Sequence, residues 1–106
     1  MKRLQTTIVA CALAAASLTA FAAEPTGEMM AHTCAACHGT EGRIQNEPFV
    51  PLAGMDRQRF IDSMLAYKDL KRPSTIMSHI ADGYSKEQIE KMADYFAKLP
   101  AKAPAK

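Results

Sequence analysis

The sequence predicts an all-α protein. No stretch alternates apolar and polar residues at the period of a strand, whereas three stretches repeat apolar residues three and four positions apart. Each of those stretches is opened or closed by a capping or breaking residue. No internal repeat is present.

The chain begins with an export signal. Met1-Lys2-Arg3 is a basic n-region, Leu4 to Leu18 an apolar, alanine-rich h-region, and Ala20-Phe21-Ala22 a small-x-small cleavage site. Residues 1–22 are predicted to be removed after Ala22. The run is too short and too rich in alanine for a membrane anchor. Ile8-Val9-Ala10-Cys11 loosely resembles a lipoprotein box, but the apolar run before Cys11 is only Leu4 to Ala10 and continues well past it. Cys11 is read as discarded with the leader.

The 84 residues that follow make one small domain, 23–100, with a Lys/Ala/Pro tail over 101–106 that has nothing to bury and is predicted to be disordered. Loss of Lys2 and Arg3 leaves eleven basic and eleven acidic residues. A neutral balance argues against nucleic acid or an anionic membrane surface as partner.

The first helix starts at Thr26 as N-cap, with Glu28 in its first turn favouring the dipole. Met30, Thr33, Cys34 and Cys37 fall at i, i+3, i+4 and i+7, so they share a face. Gly39 breaks this pattern, and Gly42 with Pro48 to Pro51 reads as an irregular loop. Asp56 caps a second helix whose buried side is Phe60, Ile61, Met64 and Leu65. It must end by Arg72, because Pro73 disfavours helix in the residue before it. Ser74 to Asp82 is a short helical turn stopped at Gly83. Ser85-Lys86-Glu87-Gln88 is a capping box opening the third main helix, with Ile89, Met92, Ala93 and Phe96 inward and Pro100 as its stop.

The chemistry lies in Cys34-Ala35-Ala36-Cys37-His38. CxxC alone also occurs as half a zinc site or as a redox dithiol. Zinc needs two further ligands, only His32, His38 and His79 are on offer, and there is no second CxxC or HxxxH. The dithiol reading wants a βαβ pattern, which is missing. CxxCH is the attachment signal for c-type haem: two thiols bond to the vinyl groups, and the histidine lies beneath the iron. One motif predicts one covalent haem c, with Cys34 and Cys37 as thioethers and His38 as proximal ligand. With both mature cysteines so used, no structural disulfide remains. The plate also offers so short a chain an apolar surface to fold around. Because c-type haem is attached outside the bacterial cytoplasm, the motif and the leader predict the same compartment, the periplasm.

A six-coordinate electron-transfer haem needs a distal ligand, commonly methionine. Met29 and Met30 precede the motif on its own helix and cannot easily reach the opposite face. Met64 and Met92 sit at core spacing inside long helices. Met55 and Met77 remain. Met77 stands 39 residues after His38, enough chain to wrap the haem edge, and shares an apolar side with Ile76 and Ile80. Met55 directly precedes a helix cap. His79 is the alternative of another type, since bis-histidine haems exist. His32 reads as a surface residue.

The mature chain resembles the class I c-type cytochromes, and among them the cytochrome subunit of flavocytochrome c sulfide dehydrogenase and related small monohaem cytochromes. The resemblance is carried by Glu24-Pro25-Thr26, Cys34 to Gly39, Leu52-Ala53-Gly54-Met55-Asp56, Ser74-Thr75-Ile76-Met77 and Ile80 to Ser85. It implies three main helices and a short helical turn wrapped round one haem, with Met77 as distal ligand. It also implies a proline carbonyl accepting a hydrogen bond from His38, for which Pro48 and Pro51 are the candidates.

The function so predicted is one-electron transfer between redox proteins in the periplasm. The alternatives are a haem subunit taking electrons from a sulfide-oxidising flavoprotein, and, in another class, a haem enzyme or gas sensor with an open distal site. Lys68, Lys71 and Arg72 could rim the haem edge for an acidic partner, or simply favour a helix end. Thr75 and Tyr84 offer hydroxyls that could reach the haem surroundings or only pack and cap.

Overall fold

The computed structural model describes residues 22–45 and 48–102. The predicted leader, 1–22, lies outside them except for Ala22, as do residues 103–106 of the tail. The described residues are helical, with no strand among them.

The first helical run is continuous but changes pitch: α1 (Gly27–Ala31), a 3₁₀ turn over His32–Cys34, then α2 (Ala35–His38). Thr26 caps it, its hydroxyl accepting the Met29 N–H at 3.1 Å. At the change of pitch the Thr33 hydroxyl donates back to the Met30 carbonyl at 2.7 Å, a bond that competes with the regular ladder. A further 3₁₀ turn, Thr40–Gly42, follows Gly39.

Helix α3 (Arg57–Lys68) is capped by Asp56, which accepts the Arg59 N–H at 2.9 Å. It ends four residues short of the limit that Pro73 sets. Leu70 turns left-handed at φ 57, and the Lys71 and Arg72 N–H groups both fold back to the Ala66 carbonyl. Helix α4 (Met77–Asp82) starts three residues later than the predicted Ser74, because Ile76 carries no capping side chain and the Ser74 hydroxyl instead takes the Ser78 N–H at 3.0 Å. Gly83 ends it in an ordinary right-handed conformation, φ −70 and ψ −7, so the stop does not use glycine's left-handed freedom. Helix α5 (Lys86–Lys98) opens with both bonds of the capping box, Gln88 N–H to Ser85 Oγ at 3.1 Å and Ser85 N–H to Gln88 Oε1 at 2.9 Å.

The core is where α1, α3 and α5 meet. Phe96, Ile89 and Met92 are its largest fully buried side chains, joined by Met30, Ala31, Phe60, Ile61 and Met64. The rings of Phe60 and Phe96 stand 5.4 Å apart. Helices α1 and α5 cross without a side chain between them at Gly27, where a β-carbon would overlap the Lys91 carbonyl. The Arg57–Asp94 pair, 2.6 Å, adds an exposed link between α3 and α5.

Candidate functional site

Below this core the chain encloses a cavity of about 420 Å³. Its size lies within the range of roughly 300–1,000 Å³ usual for cofactor sites. Cys34, Cys37 and His38 form one part of its wall, α3 another, and the segment from Arg72 to Ile80 a third.

The loop that orients His38 is built from Gly42. Its φ of 72 suits glycine, and a β-carbon there would come within 2.7 Å of Leu52 Cβ and 3.0 Å of Phe96. The Gly42 carbonyl accepts the N–H groups of Leu52 at 2.8 Å and Ala53 at 3.2 Å. That turn carries Val50 back beside the motif, where its carbonyl lies 2.7 Å from His38 Nδ1. With Nδ1 as the donor, Nε2 keeps its lone pair for a metal. The acceptor is therefore the residue before Pro51, and neither Pro48 nor Pro51 supplies the carbonyl. Phe49 completes the support, its ring edge-on to His38 at 6.0 Å.

Both cysteines carry free thiols, Cys34 half-buried and Cys37 exposed. Burial pushes the Cys34 thiol above its ordinary pKa; a side-chain hydrogen bond with Thr33 opposes this and neighbouring Cys37 adds to it. Redox-active CxxC pairs and metal thiolates depend on the opposite shift. A protonated thiol on a cavity wall suits addition to a vinyl group. Among the described residues, no group of three or more His, Cys, Asp or Glu is placed to hold a metal ion.

Met77 lines the cavity at the first position of α4. Met55 and Met64 line it too. Met64 is also a buried member of the core, as its helical spacing predicts, and Met92 is wholly buried there. Met29 is exposed and Met30 is in the core, neither on the cavity. His79 is exposed and faces a separate groove with Lys68, Ser78 and Asp82. His32 lies on the surface, 3.9 Å from Glu28. The structure thus gathers Cys34, Cys37, His38 and Met77 around one cavity and leaves both other histidines outside it.

The basic residues after α3 face inward more than a docking rim requires. Lys68 Nζ donates to the carbonyls of Asp82 at 3.0 Å and Tyr84 at 2.9 Å, tying α3 to the α4–α5 turn. Lys71 meets Asp69 at 3.4 Å, and Arg72 donates to Ser63 Oγ at 3.1 Å. Tyr84, in turn, reaches across to Thr33: their hydroxyls are 2.8 Å apart, and since Thr33 donates to Met30, Tyr84 is the donor. This bond joins the segment after Met77 to the residue before Cys34. Thr75 lines the cavity. Val50 and Gly42 are the site residues that sequence reasoning missed, because their roles exist only once the loop has closed.

The residues present fit a haem: an apolar cavity, two thiols and an oriented imidazole on one wall, and thioethers beyond them. No described helix is long and apolar enough to cross a membrane. No family model matches the chain. It is 34% identical over 80 residues to the cytochrome subunit of sulfide dehydrogenase from Chlorobaculum tepidum, covering 74% of this chain and 71% of that one. It is 34% identical over 74 residues to cytochrome c-554(548) from Halomonas halodenitrificans, covering 67% and 89%. The thiosulfate dehydrogenase electron acceptor of Stutzerimonas stutzeri is 35% identical over 72 residues, 65% of this chain and 33% of that longer protein.

Proposed function

The chain belongs to the small class I cytochromes c, haem-containing electron carriers, and from that premise we propose that it works in the periplasm as a carrier with a single covalent haem c. Cys34 and Cys37 hold the haem by thioether bonds, His38 is the proximal iron ligand and Met77 the distal one. One observation carries this reading: a single cavity is lined by both cysteines, by a His38 whose Nδ1 is already engaged with Val50, and by Met77.

When bound, haem iron supplies reversible one-electron exchange. The chain's own residues hold it still between the two oxidation states. Val50 fixes the imidazole ring and its tautomer. The Ser74–Ser78 bonds set the start of α4 and with it Met77. Met55 follows Leu52 in the turn that orients His38, on the proximal loop, and Met64 is packed in the core. That placement favours Met77 for the other face. With both axial positions taken by side chains, no coordination site is left for a substrate, and the redox partners exchange electrons through the exposed haem edge.

Replacement of Met77 by Ala tests the ligand set. The covalent haem, measured as the pyridine haemochrome, is retained, and the Met–iron charge-transfer band of the oxidised protein disappears. A band that survives would move the distal ligand to Met55 or Met64. The leader reading is checked in the same preparation, whose first residue is expected to be Ala23.

The match to a sulfide dehydrogenase cytochrome subunit over 71% of that protein's length favours a second reading: the same haem held against a sulfide-oxidising flavoprotein and reduced by it. Purification from native periplasm with partners retained separates the two. A co-purifying flavoprotein and haem reduction on adding sulfide support the subunit; a lone stable cytochrome supports the free carrier.

A further inference from the structure

One wall of the cavity carries two guanidinium groups with no carboxylate to meet them. Arg59, Ser63 and Tyr67 occupy positions i, i+4 and i+8 of α3, one stripe of the helix, and all three line the cavity. Arg72 lines it too, returning from the turn after α3. Its Nη1 donates to Ser63 Oγ at 3.1 Å, and its Cζ stands 4.9 Å above the Tyr67 ring. The Arg72 guanidinium is therefore held on the same stripe as Arg59, next to a residue one helical turn away from it.

Arginines elsewhere in the described residues are paired: Arg43 meets Glu41, and Arg57 meets Asp94. Arg59 and Arg72 form no ion pair among the described residues, and no described Asp or Glu lines the cavity. Two neighbouring cations on an apolar wall repel each other and lack the anion that a planar guanidinium fork binds best. The side chain of Arg72 is nevertheless braced in place by a hydrogen bond and an aromatic face.

We propose that Arg59 and Arg72 bind the two propionate carboxylates of the haem, setting which edge of the cofactor lies against α3 and helping to set its redox potential. The proposal rests on the haem reading above. Haem c carries two carboxylates and two vinyl-derived thioethers on different edges of the ring. The chain places its cysteines on the first helical run and these arginines on and after α3, so each kind of edge has its own element. Two cations then balance two anions. The cations hold the propionates ionised and offset their negative charge at the iron, which otherwise favours the oxidised state. The other titratable groups facing this space are His38 and the two cysteines from the first run, and Tyr67 from α3.

The test is the midpoint potential of the haem-loaded full chain as a function of pH, for the native protein and for Arg59→Gln, Arg72→Gln and Arg72→Lys. Both Gln variants are expected to keep the covalent haem and the Met–iron band. Their potential falls at neutral pH, and the pH range over which it depends on pH moves upward, because each propionate now holds its proton more tightly. Arg72→Lys, which keeps the charge and loses the fork, lies between. A purely structural arginine would change thermal stability and leave the profile in place. Arg59 is exposed and its side chain makes no hydrogen bond in the described structure, so Arg59→Gln decides the matter even if Arg72→Gln does not fold. Haem-loaded Gln variants with the native profile overturn this assignment alone. A native protein without covalent haem overturns the reading beneath it.

Discussion

The two sides of the molecule are finished to different degrees. Where α1 crosses α5, the protein is packed against itself: Ile89, Met92 and Ala93 expose nothing, Phe96 about 1%, and Gly27 gives up its side chain so that the backbones can approach. On the cavity side, Phe49, Val50 and Ile76 stand 41%, 44% and 53% exposed, and Leu70, on the turn that leads from α3 into the cavity wall, 78%. Large apolar residues left open around a cavity signal surface meant for something other than the chain. The packed side carries the fold, and the open side is shaped to a partner it does not itself contain.

The largest effect is expected from breaking the packed side. In Gly27→Ala the new β-carbon strikes the Lys91 carbonyl, which belongs to helix backbone and cannot rotate away. Separating α1 from α5 loosens Met30, Met92 and Phe96 together. Overpacking of this kind costs about 3 kcal/mol, which in a domain of this size lowers Tm by roughly 12–24 °C. Thermal unfolding of the haem-loaded protein measures it, while the ligand-field spectrum of the folded fraction stays native. A loss below about 1 kcal/mol would mean that the crossing is not what holds this side together.

The same contrast explains what could be read in advance. Caps are local, so Thr26, Asp56 and the Ser85–Gln88 box follow from three or four adjacent residues, and each forms the bonds expected of it. Helical spacing placed Met64 and Met92 in the core for the same reason. Features that need two distant segments stayed hidden. Gly27 looks like any early-helix residue until Lys91 lies across it. The partner of His38 was sought among prolines, because a carbonyl has no sequence signature. It is Val50 that the Gly42 turn delivers. Lys68 read as a docking charge because its two acceptors are backbone carbonyls 14 and 16 residues away.

The smallest effect comes from the open side, and it has the opposite sign. Leu70 holds φ 57, a conformation that its β-carbon resists, and its side chain covers almost nothing in return. It sits where a helix C-terminus commonly uses glycine, with Leu70 N–H to Tyr67 and Lys71 N–H to Ala66 closing the last turn. Leu70→Gly removes a left-handed strain of about 1–2 kcal/mol. It also frees the unfolded chain, which takes back roughly 0.4–1 kcal/mol. The net expectation is a protein more stable by about 0.5–1 kcal/mol, seen as a raised midpoint in denaturant with an unchanged slope and an unchanged haem spectrum. A destabilised variant would show that the exposed leucine is packed against something in solution. The open side would then begin at the end of α3 rather than at the cavity mouth.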